Sequence, residues 1–361
     1  LATAFPFFHS QPDAQSAIDH LMGRKQLDRP PLVEYIIDES ILRPLLTQMG
    51  RAWVDGGTDL TGWLDNFAAF YRGMGYSLVK FELSLPFESR RLLAADTSPF
   101  VQRDRSWSDQ HHGTINSWKE FECFPWPKVE NFDFSPVEIL NKRLPEGMGL
   151  MLSHAGGPFE KLSDLMSYEG LCLGLYDDFT LVEAIQNRVG ELMERFYAHL
   201  LDFDRVMALF PGDDMGFRSG TLIGPEHLRQ LSLPWHRCYS NMAHEHGIPY
   251  FLHSCGRLAN IIDDLIDTVG IDGKHSYEDA IIPADEFQEH YGGSEPGSIA
   301  VLGGLDLNIL AGGTPEEVRK RTRYLVDTCN PRGRYAIGSG NSIPSYIPVA
   351  NYLAMVEEAQ K

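Results

Sequence analysis

Eight short apolar runs, each followed by a helical pattern, constrain this chain more than any other feature. They fall at residues 32–37, 77–82, 150–154, 205–210, 248–253, 271–275, 300–303 and 335–338. Most lack the polar–apolar alternation of a half-exposed strand, as expected of strands covered on both faces. Helical periodicity is clearest at 181–202, 225–246, 257–267 and 314–328, with Pro234 predicting a kink in the second. Thr314 followed by Glu316 and Glu317 reads as a helix start with an acidic first turn. Eight strand–helix units fit an α/β fold of the (βα)8 TIM-barrel type better than an open sheet.

A barrel takes ~250 residues, and the chain has 361. The surplus is expected at 86–145, a stretch rich in Asp, Ser, Trp and Pro, as an insertion after the second strand of a single domain over 1–361. Residues 15–27 read as a helix. Pro30 and Pro31 then force an extended lead into the first strand.

A net charge of −19 argues against nucleic acid and against an anionic membrane surface, both of which call for clustered Lys and Arg. The five cysteines are odd in number and scattered, which points to reduced thiols and a cytoplasmic location rather than a disulfide framework. No apolar run approaches the ~20 residues of a membrane span. The apolar start, residues 1–8, is too short and lacks a basic flank, so no signal peptide is expected. It begins without Met, so residues upstream are expected.

The fifth run ends in Phe251-Leu252-His253-Ser254-Cys255-Gly256. An imidazole and a thiol two residues apart at the carboxyl end of a barrel strand stand where barrels do their chemistry. Both are good ligands for zinc. Taken alone, the pair is more often a backbone-satisfied His and a small buried thiol. The other strand ends shift that balance. Glu34 lies in the first run and Asp38 follows it. Glu82 ends the second and His154 the third. Asp213 and Asp214 follow the fourth, His275 and Glu278 the sixth, Asp306 the seventh, and Ser339 and Asn341 the eighth. Any one could be a helix cap or turn residue, but together they would converge on one mouth. Neighbours in sequence point apart, so only one of Asp213 and Asp214 is expected to face it.

These segments together resemble the uroporphyrinogen decarboxylase family. The matching pieces are Leu27-Asp28-Arg29-Pro30-Pro31, the run from Gly212-Asp213-Asp214 to Ile223-Gly224-Pro225, His253-Ser254-Cys255-Gly256, Leu302-Gly303-Gly304-Leu305-Asp306, and Gly338-Ser339-Gly340-Asn341-Ser342-Ile343-Pro344 with Pro348 and Asn351. The resemblance implies a distorted TIM barrel with its cleft at the strand C-termini. It implies one of two chemistries: cofactor-free decarboxylation of uroporphyrinogen, or methyl transfer to or from a corrinoid protein using a zinc-bound thiolate.

The decarboxylases carry an arginine-rich segment after the first strand and an aspartate after the second. Here Glu34-Tyr35-Ile36-Ile37-Asp38-Glu39-Ser40 and Phe81-Glu82-Leu83-Ser84 stand there, and a polyanionic porphyrinogen meets the wrong sign of charge. The zinc methyltransferases pair H-x-C with a later Cys; this chain has Asn341 at that place. The expectation is therefore a methyltransferase-like enzyme, moving a methyl group between a small thiol or folate-like partner and a corrinoid protein docked over the mouth. His253 and Cys255 would hold zinc, with Asp213, Asp214 or Glu278 supplying an oxygen ligand. Without a metal, Asn341 would hydrogen-bond a substrate such as a pterin. His253, Cys255, His275 and Glu278 are the expected catalytic residues, with His275 or Glu278 as acid or base. Glu34, Glu82, His154, Asp306, Ser339 and Asn341 are expected to bind substrate. The alternatives are a decarboxylase for a less anionic substrate and a non-catalytic ligand- or corrinoid-binding barrel.

Overall fold

The computed structural model describes residues 7, 11–95 and 104–361. Seven of the eight expected runs form parallel strands: Leu78–Leu83, Gly149–His154, Val206–Leu209, Phe251–His253, Gly273–His275, Ala300–Leu302 and Tyr335–Ala336. The first three pair in chain order, and so do the last four. Parallel bridges Leu209–Tyr250 and Gly212–His253 join the two groups. The remaining run, 32–37, which is the first in the chain, contributes parallel bridges Leu32–Ile337 and Ile37–Ile343 to the far edge. Spatial order thus follows chain order throughout, with helices between the strands, which is the α/β arrangement expected from the sequence. Among the described residues no ladder is recorded between 32–37 and Leu78–Leu83. Side chains meet across that gap, with the Lys80 ammonium 4.1 Å from the Tyr35 ring centroid.

The apolar interior is small and specific. Val33, Tyr35, Met151, Ala208, Phe210, Phe251, Ala300, Leu302 and Ala336 form one cluster with Ala14, Ala17, Ile18 and Leu21. The last four lie on the helix Ala14–Leu21, capped by Asp13, which packs under the strands. His20 on this helix reaches the Tyr335 carbonyl at 3.1 Å. A larger cluster fills the space between strands and outer helices.

Two helices differ from the periodicity. The expected 225–246 helix is broken at Ser232 into Pro225–Leu231 and Leu233–Glu245. Pro234 sits in the first turn of the second piece, where its missing N–H removes no helical bond. The expected 257–267 helix is irregular and finishes as a π-turn, Asp264–Val269, ended by left-handed Gly270. Thr314 does cap the helix Pro315–Cys329, in a reciprocal pair with Glu317.

Within 86–145 lie an antiparallel hairpin, Arg91–Ala95 with Asp104–Ser108, and the helices Trp118–Cys123 and Ser135–Arg143. The last of these buries Val137 and Leu140 and packs on the helix Leu60–Gly73. Ser135–Arg143 thus packs in the helical layer.

Candidate functional site: a His–Cys–Asp cluster at the strand ends

The loop after Phe251–His253 is seated on the hairpin that follows the strand Val206–Leu209. Gly256 has φ +79, and a Cβ there would lie 2.3 Å from the Gly216 carbonyl carbon. Only glycine allows both the left-handed backbone and that approach. Arg257 N–H donates to the Phe217 carbonyl at 2.8 Å, and Met215 N–H donates to Ser254 Oγ at 3.2 Å. This seating brings Asp214 under the Cys255 amide, which donates to its Oδ1 at 2.9 Å.

Around Cys255 the geometry is dense. Its Sγ lies 3.4 Å from His253 Nε2, 3.2 Å from Asn341 Nδ2 and 3.5 Å from Ser276 Oγ. His253 Nε2 is 3.6 Å from Asp214 Oδ1. Among the described residues, Asp214, His253 and Cys255 each offer a ligand atom, all within 4.8 Å of one another. His253 is buried, its ring stacked on Tyr35 with centroids 4.1 Å apart. Burial, and then the charge of Asp214, push the Cys255 thiol up to about 12, with the Ser276 and Asn341 donors opposing. Burial also raises the Asp214 carboxyl. Burial, and then the neighbouring His275, hold His253 well below the ordinary imidazole range. In this form the cluster holds a protonated thiol beside a neutral imidazole.

The adjacent aspartates have different surroundings. Asp213 is fully buried. It accepts the Phe159 and Glu160 amides at 3.1 and 2.9 Å, capping the helix Pro158–Met166, and pairs with His236 Nε2 at 2.8 Å. His236 Nδ1 in turn lies 2.8 Å from the Tyr250 hydroxyl. Asp214 alone of the pair lies at the His–Cys cluster, as alternation along an extended segment requires.

The remaining expected site residues divide. Asn341 is at the sulfur. His275 lies behind His253, fully buried, with its Nδ1 2.7 Å from His253 Nδ1. Glu34 and Ser339 are both buried and bonded to each other. The Ser339 amide and hydroxyl donate to the carboxyl at 2.8 and 2.5 Å, and burial raises that carboxyl to about 8. Glu82 pairs with Lys80. Asp306 caps the helix Leu307–Gly312 and accepts the Asp279 amide at 2.9 Å. His154 is buried beside Tyr197, ring centroids 5.1 Å apart. Glu278 is exposed. A cavity of about 820 Å³ opens at the ends of Leu78–Leu83 and Gly149–His154, lined in part by Ser84, Ala155, Gly156 and Glu160.

Three contributors went unread in the sequence. Tyr35 stacks on His253; its alternation with Val33 and Ile37 could have pointed it inward. Lys274, buried in the strand Gly273–His275, donates Nζ–H to the Ser276 carbonyl at 2.6 Å. That contact braces Ser276 at φ 84, a left-handed conformation that no sequence signal announces and that brings the serine hydroxyl to Cys255.

A family model described as Uroporphyrinogen decarboxylase (URO-D) matches residues 131–361. Among solved structures, a methyltransferase from Methanosarcina mazei superposes with a TM-score of 0.68 at 15% identity, covering 95% of this chain and 96% of the other. A glycosylated endo-beta-1,4-xylanase from Gloeophyllum trabeum reaches only 0.43 at 10% identity, covering 65% and 83% respectively. No curated protein matches the chain. At these identities the structural likeness concerns the fold alone. No helix among the described residues is long and apolar enough to cross a membrane.

Proposed function

The chain belongs to the uroporphyrinogen decarboxylase family, and from that premise we propose that it is a methyltransferase. In this reading a closed (βα)8 barrel moves a methyl group between a small thiol or folate-like partner and a corrinoid carried by a second protein. The observation that carries this reading is the cluster of Asp214, His253 and Cys255 at the strand ends. One oxygen, one nitrogen and one sulfur donor suit zinc and leave a fourth position for substrate. Asp214 would supply the third ligand in the absence of the later Cys of the resembling zinc enzymes, at whose place in the chain Asn341 stands.

A bound zinc would lower the pKa of an acceptor thiol and hold it as a thiolate. The protein's own groups set the surroundings. Tyr35 walls one face of His253 with its ring. Asn341 and Ser276 each direct a donor at Cys255 Sγ, which stabilises negative charge on sulfur. In transfer from the corrinoid to a thiol, the thiol proton leaves to solvent, a C–S bond forms, and the pair of the broken Co–C bond stays with the corrinoid. Uroporphyrinogen fits poorly: Asp38 and Glu39 follow the first run where a basic segment would be needed, and they would repel its carboxylates.

The test is anaerobic incubation with methylcobalamin and a panel of thiols and tetrahydrofolate, following demethylation of the corrinoid by its spectrum. Demethylation lost in Cys255→Ala is expected. Conversion of uroporphyrinogen to coproporphyrinogen without methyl transfer would overturn the proposal.

A further inference from the structure

His275 lies too deep to meet substrate, yet both of its ring nitrogens are committed. Nε2 is 3.3 Å from the Ser339 carbonyl oxygen. A carbonyl can only accept, so Nε2 carries a hydrogen. That carbonyl is held in place: the Ser339 amide and hydroxyl both donate to Glu34, and the Gly304 amide donates to the same oxygen at 3.2 Å. Gly303 keeps the path open. With φ +81, a Cβ there would lie 2.2 Å from Ser339 O and 3.0 Å from His275 Nε2.

A neutral imidazole has one N–H, so Nδ1 of His275 is an acceptor. The atom facing it at 2.7 Å is Nδ1 of His253, which must then be the donor. The one hydrogen of His253 is thereby spent on its inner nitrogen. A cationic His275 would reverse this order. Its ring instead meets Tyr35 and Phe210, with centroids 5.8 and 5.7 Å away, and no carboxylate hydrogen-bonds it among the described residues.

We propose that the Ser339 carbonyl fixes the tautomer of His253 through His275, so that His253 Nε2 faces Cys255 and Asp214 as a bare lone pair. His275 is thus a positioning residue: it presents a nitrogen ready to ligate a cation or to take the thiol proton, with no tautomer exchange first. This inference rests on the reading of His253 and Cys255 as the reactive centre, but its primary readout does not need a metal.

The experiment is long-range proton–nitrogen correlation NMR on protein labelled with [15N]histidine, metal-free and at neutral pH, with His253→Ala and His275→Ala used for assignment. His253 is expected with hydrogen on Nδ1 only, and His275 with hydrogen on Nε2 only. Hydrogen on His253 Nε2, or a doubly protonated His275, would overturn the proposal. Zinc affinity adds a second arm. His275→Gln keeps an acceptor oxygen for His253 and is expected to retain most of the affinity, whereas His275→Leu should lose about 10–100-fold. Equal losses in the two variants would also contradict it. Wild-type protein that shows the expected tautomers but takes no zinc would sink the functional reading and leave the relay standing.

Discussion

His253 and His275, both buried, approach each other through their Nδ1 atoms at 2.7 Å. One hydrogen fits between two such nitrogens; two would repel. Burial pushes His275 down to about 3 from an ordinary value of 6.5. The unfolded chain therefore takes up this proton before the folded one. The associated stability is fully present above 6.5 and is lost as pH falls toward 3. Each such histidine contributes a slope of about 1.4 kcal/mol per pH unit in that window. Chemical denaturation between pH 7 and 5 should show stability falling with acid, and less steeply in His275→Gln.

Glu34 works in the opposite sense. Its carboxyl is raised from 4.5 to about 8 by burial, with the Ser339 bonds opposing. The unfolded chain ionises first, so this contribution is complete below 4.5 and is lost as pH rises toward 8. In Glu34→Gln, the stability profile should lose a downward slope of at most about 1.4 kcal/mol per pH unit across that window. Superimposable profiles for the two proteins would show that Glu34 is ionised in the fold.

The adjacent aspartates should separate cleanly under substitution. Asp213→Asn weakens a helix cap and a buried pair with His236, and should cost about 3 kcal/mol of stability. Asp214 side-chain exposure is 41%, so Asp214→Asn should change stability by less than about 1 kcal/mol while weakening metal binding. Urea unfolding and a zinc titration on both variants test this. A reversed order would contradict the division of roles.

Cys255 should be a slow nucleophile in metal-free protein. A thiol pushed to about 12 is thiolate to roughly one part in 10⁴ at pH 8. Iodoacetamide should therefore modify exposed Cys123 first. Cys255 labelling should rise steeply with pH, and Asn341→Ala should slow it further. Rapid Cys255 labelling near neutrality would contradict this charge state.

The strand order was legible because each strand is an apolar run bounded by helical periodicity, a local signal. His253, Cys255 and Asn341 were legible because strand-end placement followed from those runs. Glu34, Ser339 and Asp306 were read as cleft residues, whereas in the structure Glu34 and Ser339 satisfy each other and Asp306 serves as a cap. Sequence gives the position along a strand but not the depth, and the Glu34–Ser339 bonds link residues 305 positions apart. The left-handed Ser276 and the brace from Lys274 leave no trace in hydropathy. Helix 225–246 was read through Ser232 because a proline in a helix's first turn looks, in sequence, like a proline in its middle.

Metal content is the most direct test of the site. Protein purified without added metal, and the same protein titrated with Co²⁺ as a spectroscopic stand-in for zinc, should show about one site per chain. A sulfur-to-cobalt charge-transfer band should appear and vanish in Cys255→Ala, with binding also lost in His253→Ala while both variants stay folded. Wild-type protein that carries no zinc and gives no such band, or a double variant that binds metal as the wild type does, would contradict the assignment of Asp214, His253 and Cys255 as a metal centre.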